Sequence, residues 1–257
     1  MAVNPVNAIE VNRGPFLPRR CVLCAAENVH ACGLCAGCRK DIMPVSTFCR
    51  ACATPIHAGI VCGGCLNLPT PPWEYIYAAF NYAWPLNRLL LQLKFHQNLN
   101  AARYLAELGS SAIASISTLQ PRPDLIVPVP LHRKRLLQRG YNQAHELART
   151  LGRSLSIHVD PGACQRIQST HTQTGLNARQ RRANVRGVFT ADARKVRGRI
   201  VAVVDDIITT TSTVRELSRS LKQSGAGAVV VWAIAKQPLD SSRFRYPDSS
   251  PTGHFAR

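Results

Sequence analysis

Aromatic residues are scarce in this chain of 257 residues, at 6%. Composition therefore gives little support to a platform that stacks successive nucleobases on aromatic rings. No apolar run approaches the roughly 18 residues of a membrane-spanning helix. Residues 1–20 lack the apolar stretch of a secretory signal. These absences predict a cytoplasmic protein with no membrane span. Acidic residues are also few, 14 against 32 Lys and Arg, which leaves a formal charge of +18. Such a surplus points to an anionic partner: nucleic acid, a phosphorylated substrate or acidic lipid. Lysine is sparse as well, Arg outnumbering it 26 to 6. The guanidinium suits bidentate recognition of phosphate, and a GC-rich genome would leave the same bias. What the chain does have is an apolar fraction of 46%, enough for a real core in one large domain or a medium one plus a small one.

Cysteine is the other abundance, and it is concentrated. Nine of ten cysteines fall between Cys21 and Cys65. They read Cys21-x-x-Cys24, Cys35-x-x-Cys38, Cys49-x-x-Cys52 and Cys62-x-x-Cys65, with Cys32 extra. Cytosolic cysteines are mostly reduced, so this pattern reads as metal binding rather than disulfides. Each C-x-x-C knuckle puts two thiolates on one side of a tight turn, and two knuckles complete a tetrahedron around zinc. Sequential pairing gives Cys21, Cys24, Cys35 and Cys38 one Zn²⁺, and Cys49, Cys52, Cys62 and Cys65 another. Crossed pairing, Cys32 in place of Cys38, a ligand from His30 or His57, and iron–sulfur ligation are the alternatives. Closed Cys₄ sites are structural and hold together a segment too small to have its own core.

Beyond a proline-rich stretch at 69–72, apolar runs and helical periods alternate. Strands are predicted at 75–82, 125–129, 200–204 and 227–235, and helices at 85–96, 99–116, 142–155 and 214–223. The alternation argues for a parallel, doubly wound sheet whose sites lie beyond the carboxyl ends of its strands. Residues 122–199 hold 16 Lys and Arg against 4 Asp and Glu. Arg133, Lys134, Arg135 and Arg139 leave one strand end and lead to Asn142, a candidate N-cap. Arg179, Arg181, Arg182 and Arg186 form a second basic block.

The most informative stretch is 201–216, V-A-V-V-D-D-I-I-T-T-T-S-T-V-R-E. An apolar strand runs into Asp205 and Asp206. The hydroxyl-rich residues Thr209, Thr210, Thr211, Ser212 and Thr213 follow, and then a helix. The first N–H groups of a helix favour an anion. Paired carboxylates can accept hydrogen bonds from sugar hydroxyls, directly or through metal-bound water. A buried strand followed by a helix that Thr213 caps gives the same string of residues, but adjacent aspartates at a strand end call for solvent or a ligand.

This block resembles the diphosphate-sugar motif of the type I phosphoribosyltransferases. The resemblance implies that Asp205 and Asp206 hold ribose hydroxyls and that 209–213 wrap the 5′-phosphate of phosphoribosyl pyrophosphate. Mg²⁺ would bridge the diphosphate and the ribose, with Arg133 and Arg139 beside the departing pyrophosphate. One position departs from the pattern: Thr211 stands where that family usually has Gly. Gly serves where the backbone needs positive φ, and a β-branched residue held there costs about 1–2 kcal/mol. The substitution predicts a reshaped loop or weakened phosphate binding.

Taken together the motifs resemble the ComF family across roughly 21–236: two zinc ribbons, L-K-F at 93–95, P-V-P-L and R-G-Y-N-Q-A within 128–144, T-G-L-N-A-R-Q-R-R-A-N-V-R-G-V-F at 174–189, and the acidic block. The resemblance implies an α/β fold, a type I phosphoribosyltransferase-like parallel sheet with a small N-terminal double zinc ribbon. The expected organisation is a flexible N-terminus (1–20), the ribbons (21–68), a linker (69–73), the phosphoribosyltransferase-like domain (74–236) and a disordered tail (237–257). It also implies a role in natural competence, handling imported single-stranded DNA in the cytoplasm beside DNA-uptake proteins. The alternative is an active phosphoribosyltransferase whose acceptor the sequence does not reveal.

Overall fold

The computed structural model describes residues 20–27, 33–95, 99–116, 120–168 and 187–238. The expected tail from 239 onward, the N-terminus to 19, Cys32, His30 and the second basic block (Arg179, Arg181, Arg182, Arg186) lie outside the described residues.

Five parallel strands form the central sheet in the order β1-β7-β6-β2-β3. They are β1 (Tyr75–Asn81), β2 (Leu125–Pro128), β3 (His158–Val159), β6 (Ile200–Ile208) and β7 (Ala228–Lys236). The middle strands are β-branched and apolar, as a sheet covered on both faces requires. Val201, Ala202, Val203 and Val204 of β6 and Val229, Val230 and Val231 of β7 are all fully buried. Each such valine contributes about 1.5–3 kcal/mol of burial. Side chains alternate between two cores. On one face Ala202, Val204, Val230 and Trp232 pack with α3 (Leu86–Phe95), α4 (Leu99–Ser115) and α6 (Gln143–Leu155). On the other, Val201, Val203, Val229 and Val231 pack with Val214, Leu217 and Leu221 of the helix that follows β6, and with the hairpin of β4 (Cys164–Arg166) and β5 (Phe189–Ala191).

The N-terminal cysteine region is built onto the sheet. Its two short helices, α1 (Ala36–Lys40) and α2 (Gly63–Leu66), each carry a cysteine knuckle. Val45 donates to the Ala79 carbonyl, and the Arg50 carbonyl accepts from Ile76. Pro44 bridges Phe80 in antiparallel sense. Residues 44–50 thereby cover the open edge of β1, which would otherwise present unpaired backbone groups. Gly33 touches the Tyr104 ring of α4 so closely that a Cβ would lie 2.6 Å from it. Trp73, the last residue of the expected linker, is buried and its indole donates to the Arg50 carbonyl.

Two local readings of the sequence change here. The strand expected at 200–204 runs on to Ile208, because β7 keeps pairing with it: Asp205 with Ala233, Ile207 with Ala235 and Ile208 with Lys236. On the other side β2 stops at Pro128, opposite Val204. The twin aspartates are therefore strand residues with one open flank. The following helix, α8 (Ser212–Gln223), starts at Ser212, so Thr213 lies inside its first turn and is not the cap. Between β5 and β6 only the single turn α7 (Ala193–Val196) intervenes.

Candidate functional site

The eight knuckle cysteines gather into two groups, Cys21, Cys24, Cys35 and Cys38, and Cys49, Cys52, Cys62 and Cys65. This is the sequential pairing. His57 is exposed and belongs to neither group. Within each group the sulfurs lie within 4.8 Å of one another. Cys24 and Cys35 are 3.6 Å apart, and Cys52 and Cys62 3.7 Å. A tetrahedral ion with Zn–S bonds of ~2.3 Å has sulfurs about 3.8 Å apart, so the donor set fits zinc. Backbone N–H groups point at the thiolates, Cys38 toward Cys35 Sγ at 3.5 Å and Cys62 toward Cys49 Sγ at 3.2 Å. Burial opposes ionisation of Cys21, but N–H groups of Cys35, Cys24 and Leu23 prevail and bring its thiol down to about 6. Burial and then the neighbouring thiols of Cys24, Cys35 and Cys21 push the Cys38 thiol far up. Four crowded sulfurs cannot all ionise until a cation arrives.

The second candidate site lies past the carboxyl end of β2, beside the last residues of β6. A cavity of about 470 Å³ is lined by Lys94, Arg135, Arg139, Arg166, Asp205 and Asp206, together with Asn142, Gln143, Thr209, Thr210 and Thr213. Where β2 has ended, the aspartates fold back on their own strand. Asp206 N–H donates to Asp205 Oδ1 at 2.9 Å, and Ile207 N–H to Asp206 Oδ1 at 2.7 Å. One oxygen of each carboxylate is thus held by the strand's own backbone.

The basic segment after β2 is helical. His132 caps α5 (Arg133–Arg139), and Gly140, at φ 77, ends it in the left-handed conformation that glycine adopts without strain. Asn142 then caps α6 as the sequence predicts: its Oδ1 accepts from Ala144 N–H at 3.1 Å, and its Nδ2 donates to the Val129 carbonyl at 3.0 Å. Arg135 and Arg139 line the aspartate cavity. Arg133, two residues before Arg135, lines a neighbouring cavity of about 500 Å³ with Tyr141, His145, Glu146 and Gln165. Leu131, Asn142 and Arg166 border both.

Of the hydroxyl residues, Thr209, Thr210 and Thr213 border the cavity, while Ser212 is buried behind them and accepts from Thr210 Oγ1 at 3.2 Å. Thr211 does not border it. The strain expected at Thr211 is absent: its φ is −79 and ψ 7, an ordinary conformation for a β-branched residue. The loop turns without a left-handed residue at this point, so no glycine is required.

Burial and neighbouring charge act together on the ionisable groups of the cleft. Burial, and next the charge of Asp206, push the Asp205 carboxyl well above its ordinary range, although the Asp206 amide and Lys94 act the other way. Burial and then Arg135 disfavour the charge on Arg139, and Asp206 favours it. Arg166, over the Phe189 ring at 5.6 Å, is disfavoured by burial and by Arg135 and favoured by Asp205. Gln143 is 3% exposed, and its Nε2 meets no hydrogen-bond partner among the described residues. Tyr141 Oη is buried as well, and the Gln143 side chain favours its ionised form. Three arginines, a lysine and two carboxylates line one cleft. That arrangement suits a ligand with anionic groups at one end and hydroxyls or a bound cation at the other.

Three of these residues escaped the sequence reading as site residues. Lys94 sits in the L-K-F tripeptide, which was informative only as a family marker. Gln143 follows the N-cap, as any first-turn residue does. Arg166 has no neighbouring motif at all, and it reaches the cleft only because the β4–β5 hairpin folds over it.

A model of the double zinc ribbon domain matches residues 15–66. The chain is similar to the DNA utilization protein YhgH of Escherichia coli strain K12, 37% identical over 79% of this chain and 90% of that one. It is also similar to competence protein F of Haemophilus influenzae, 36% identical over 86% of this chain and 98% of that one. Among solved structures it matches adenine phosphoribosyltransferase from Leishmania donovani at 13% identity and a TM-score of 0.37, over 66% of this chain and 73% of that one. With two four-cysteine clusters beside a five-stranded parallel sheet, and with relatives this similar over nearly their full length, the chain belongs to the ComF family of competence and DNA-utilization proteins.

Proposed function

We propose that the aspartate cleft binds phosphoribosyl pyrophosphate and that the protein handles single-stranded DNA on this scaffold, beside DNA-uptake proteins in the cytoplasm. The observation that carries the reading is the cleft's mixed charge: Asp205 and Asp206 share one cavity with Arg135, Arg139, Arg166 and Lys94. The two carboxylates accept hydrogen bonds from the ribose hydroxyls. Thr209, Thr210 and Thr213, with the first amides of α8, donate to the 5′-phosphate. Arg135 and Arg139 hold the diphosphate in charge-assisted bonds. Mg²⁺, when bound, would neutralise the diphosphate; carboxylates at the cleft mouth suit a hard, oxygen-seeking cation. The nucleic-acid half of the reading rests on the +18 charge and on what the relatives' names say of them.

Calorimetry with phosphoribosyl pyrophosphate and Mg²⁺ tests the first half. Wild type should give heat, and Asp205→Asn/Asp206→Asn none; a silent wild type removes the ligand. Single-strand DNA affinity measured over a salt series should show a steep log–log slope. A flat slope removes the electrostatic case for nucleic acid.

A second reading, phosphoribosyl transfer, is favoured by the adjoining cavity, which shares Leu131, Asn142 and Arg166 with the first and has room for an acceptor. In that reaction the bond from ribose C1 to pyrophosphate breaks and the leaving group keeps the electron pair. The acceptor's nucleophilic atom bonds to C1 and loses a proton. Carboxylates on the ribose side and arginines on the leaving-group side would stabilise the opposite charges that develop.

A further inference from the structure

Lys236, the last residue of β7, is a charged side chain with no place in the cleft. It is 3% exposed and does not border the cavity. Its ammonium has three donors, and all three are used on backbone carbonyls. They are Thr209 at 2.8 Å, Gln237 at 2.9 Å and Ile208 at 3.4 Å. The backbone reinforces the same junction, since Gln237 N–H also donates to the Ile208 carbonyl at 2.9 Å. Burial disfavours the lysine's charge. A lysine buried only to fill a core would not be spent on three carbonyls at one turn, because a buried cation is costly unless each donor has a partner.

The turn it holds is the entry to the hydroxyl-rich loop. In a trans peptide the N–H of one residue points opposite to the carbonyl of the residue before it. With the Ile208 and Thr209 carbonyls drawn back to Lys236, the N–H groups of Thr209 and Thr210 are turned the other way. Thr209 and Thr210 are the two loop residues that border the cavity ahead of α8. The lysine removes two acceptor oxygens from the neighbourhood of an anion and sets two donors toward it. It also places a positive charge behind the loop.

We propose that Lys236 is the positioning residue of the anion-binding loop, acting from behind through the carbonyls of Ile208 and Thr209 and never touching the ligand. The inference rests on the reading of the cleft as a sugar-phosphate site, and the experiment separates the two. Binding of phosphoribosyl pyrophosphate with Mg²⁺ and of ribose 5-phosphate is measured for wild type, Lys236→Met and Lys236→Arg, with zinc content and melting temperature alongside. No binding by wild type defeats the sugar-phosphate reading itself. Given wild-type binding, Lys236→Met should bind both ligands at least tenfold more weakly while it keeps two zinc ions. Lys236→Arg, which can still donate to the carbonyls, should recover most of the loss. Folded Lys236→Met that binds within twofold of wild type overturns the inference and leaves the cleft reading intact. If Lys236→Met does not fold, a crystal structure of wild type with ribose 5-phosphate decides. Nζ should stay on the Ile208 and Thr209 carbonyls with the phosphate on the loop's N–H groups. Nζ bonded to the phosphate, or swung off the carbonyls, refutes it.

Discussion

The cysteine clusters and the aspartate cleft are built on opposite plans. Each cluster draws its four ligands from at most 18 consecutive residues, and every ligand is announced by a C-x-x-C spacing. The cleft draws Lys94, Arg135, Arg139, Gln143, Arg166 and Asp205 from four separate stretches spread over more than a hundred residues. The clusters are closed: each thiol faces three others. The cleft is open, and charges of both signs line it. A closed site stores its binding energy in the fold, and an open one reserves it for a ligand. Residues 44–50 link the ribbons to the edge of β1, away from the cleft at β6 and β2.

The largest effect should come from breaking a closed site. Cys49→Ser should cost one of two zinc ions per chain, read by metal analysis. Structural zinc is worth about 10 kcal/mol or more of binding free energy to a small ribbon. Loss of the second cluster should also free the edge of β1, so the variant should aggregate on heating while wild type does not. Retention of two zinc ions would refute the assignment of Cys49 as a ligand.

Breaking the open site should leave the metal alone. Asp205→Asn is expected to keep both zinc ions and to abolish the heat of phosphoribosyl pyrophosphate binding. Its effect on stability has the opposite sign. A carboxyl raised in the folded state stabilises the fold fully below its ordinary value of 3.8, and that contribution is lost as pH rises through the raised value. Ligand-free Asp205→Asn should therefore melt above wild type at neutral pH, with the gap closing toward pH 4. A variant that melts lower at neutral pH would show that the carboxylate is not under strain in the empty cleft.

Arg166→Ala should give a smaller change. It deletes one charged contact and the packing over Phe189, and hydrogen bonds to charged groups are worth about 1.5–3 kcal/mol. Titration should show binding weakened by roughly ten- to a hundredfold with zinc content unchanged. Unchanged affinity would mean that the hairpin arginine serves only the neighbouring cavity. The smallest effect is expected from Thr211→Gly. Because Thr211 sits at φ −79, restoring the usual glycine relieves no strain and adds backbone freedom to the unfolded chain. Stability should fall by no more than about 1 kcal/mol, and affinity should not rise. A marked gain in affinity would mean that the bound loop needs a conformation the free loop lacks.

Legibility follows the same division. The four long strands and the four long helices were plain because period 2 and period 3.6 apolar patterns are local, whereas the short β3, the β4–β5 hairpin and α5 were not. The cap at Asn142 was plain for the same reason. The end of β6 was not, since it depends on how far β7 continues alongside and where β2 stops. Thr213 looked like a cap because a hydroxyl before a helix often is one, yet the backbone had already turned helical at Ser212. The fold-level resemblance located Asp205 and Asp206. It could not separate Arg133 from Arg135, because two positions along a helix decide which cavity a side chain borders.

The sequence by itself determined the metal clusters, the alternation of strands and helices, and the acidic pair, since each is written in contiguous residues whose spacing sets their geometry. Only the tertiary structure decided which cations share a cavity with that pair, that Arg166 arrives from a hairpin, that Thr211 is unstrained, and that a buried lysine stands behind the loop. Those facts depend on distances across the sheet, and distances between remote segments exist only once the chain has packed.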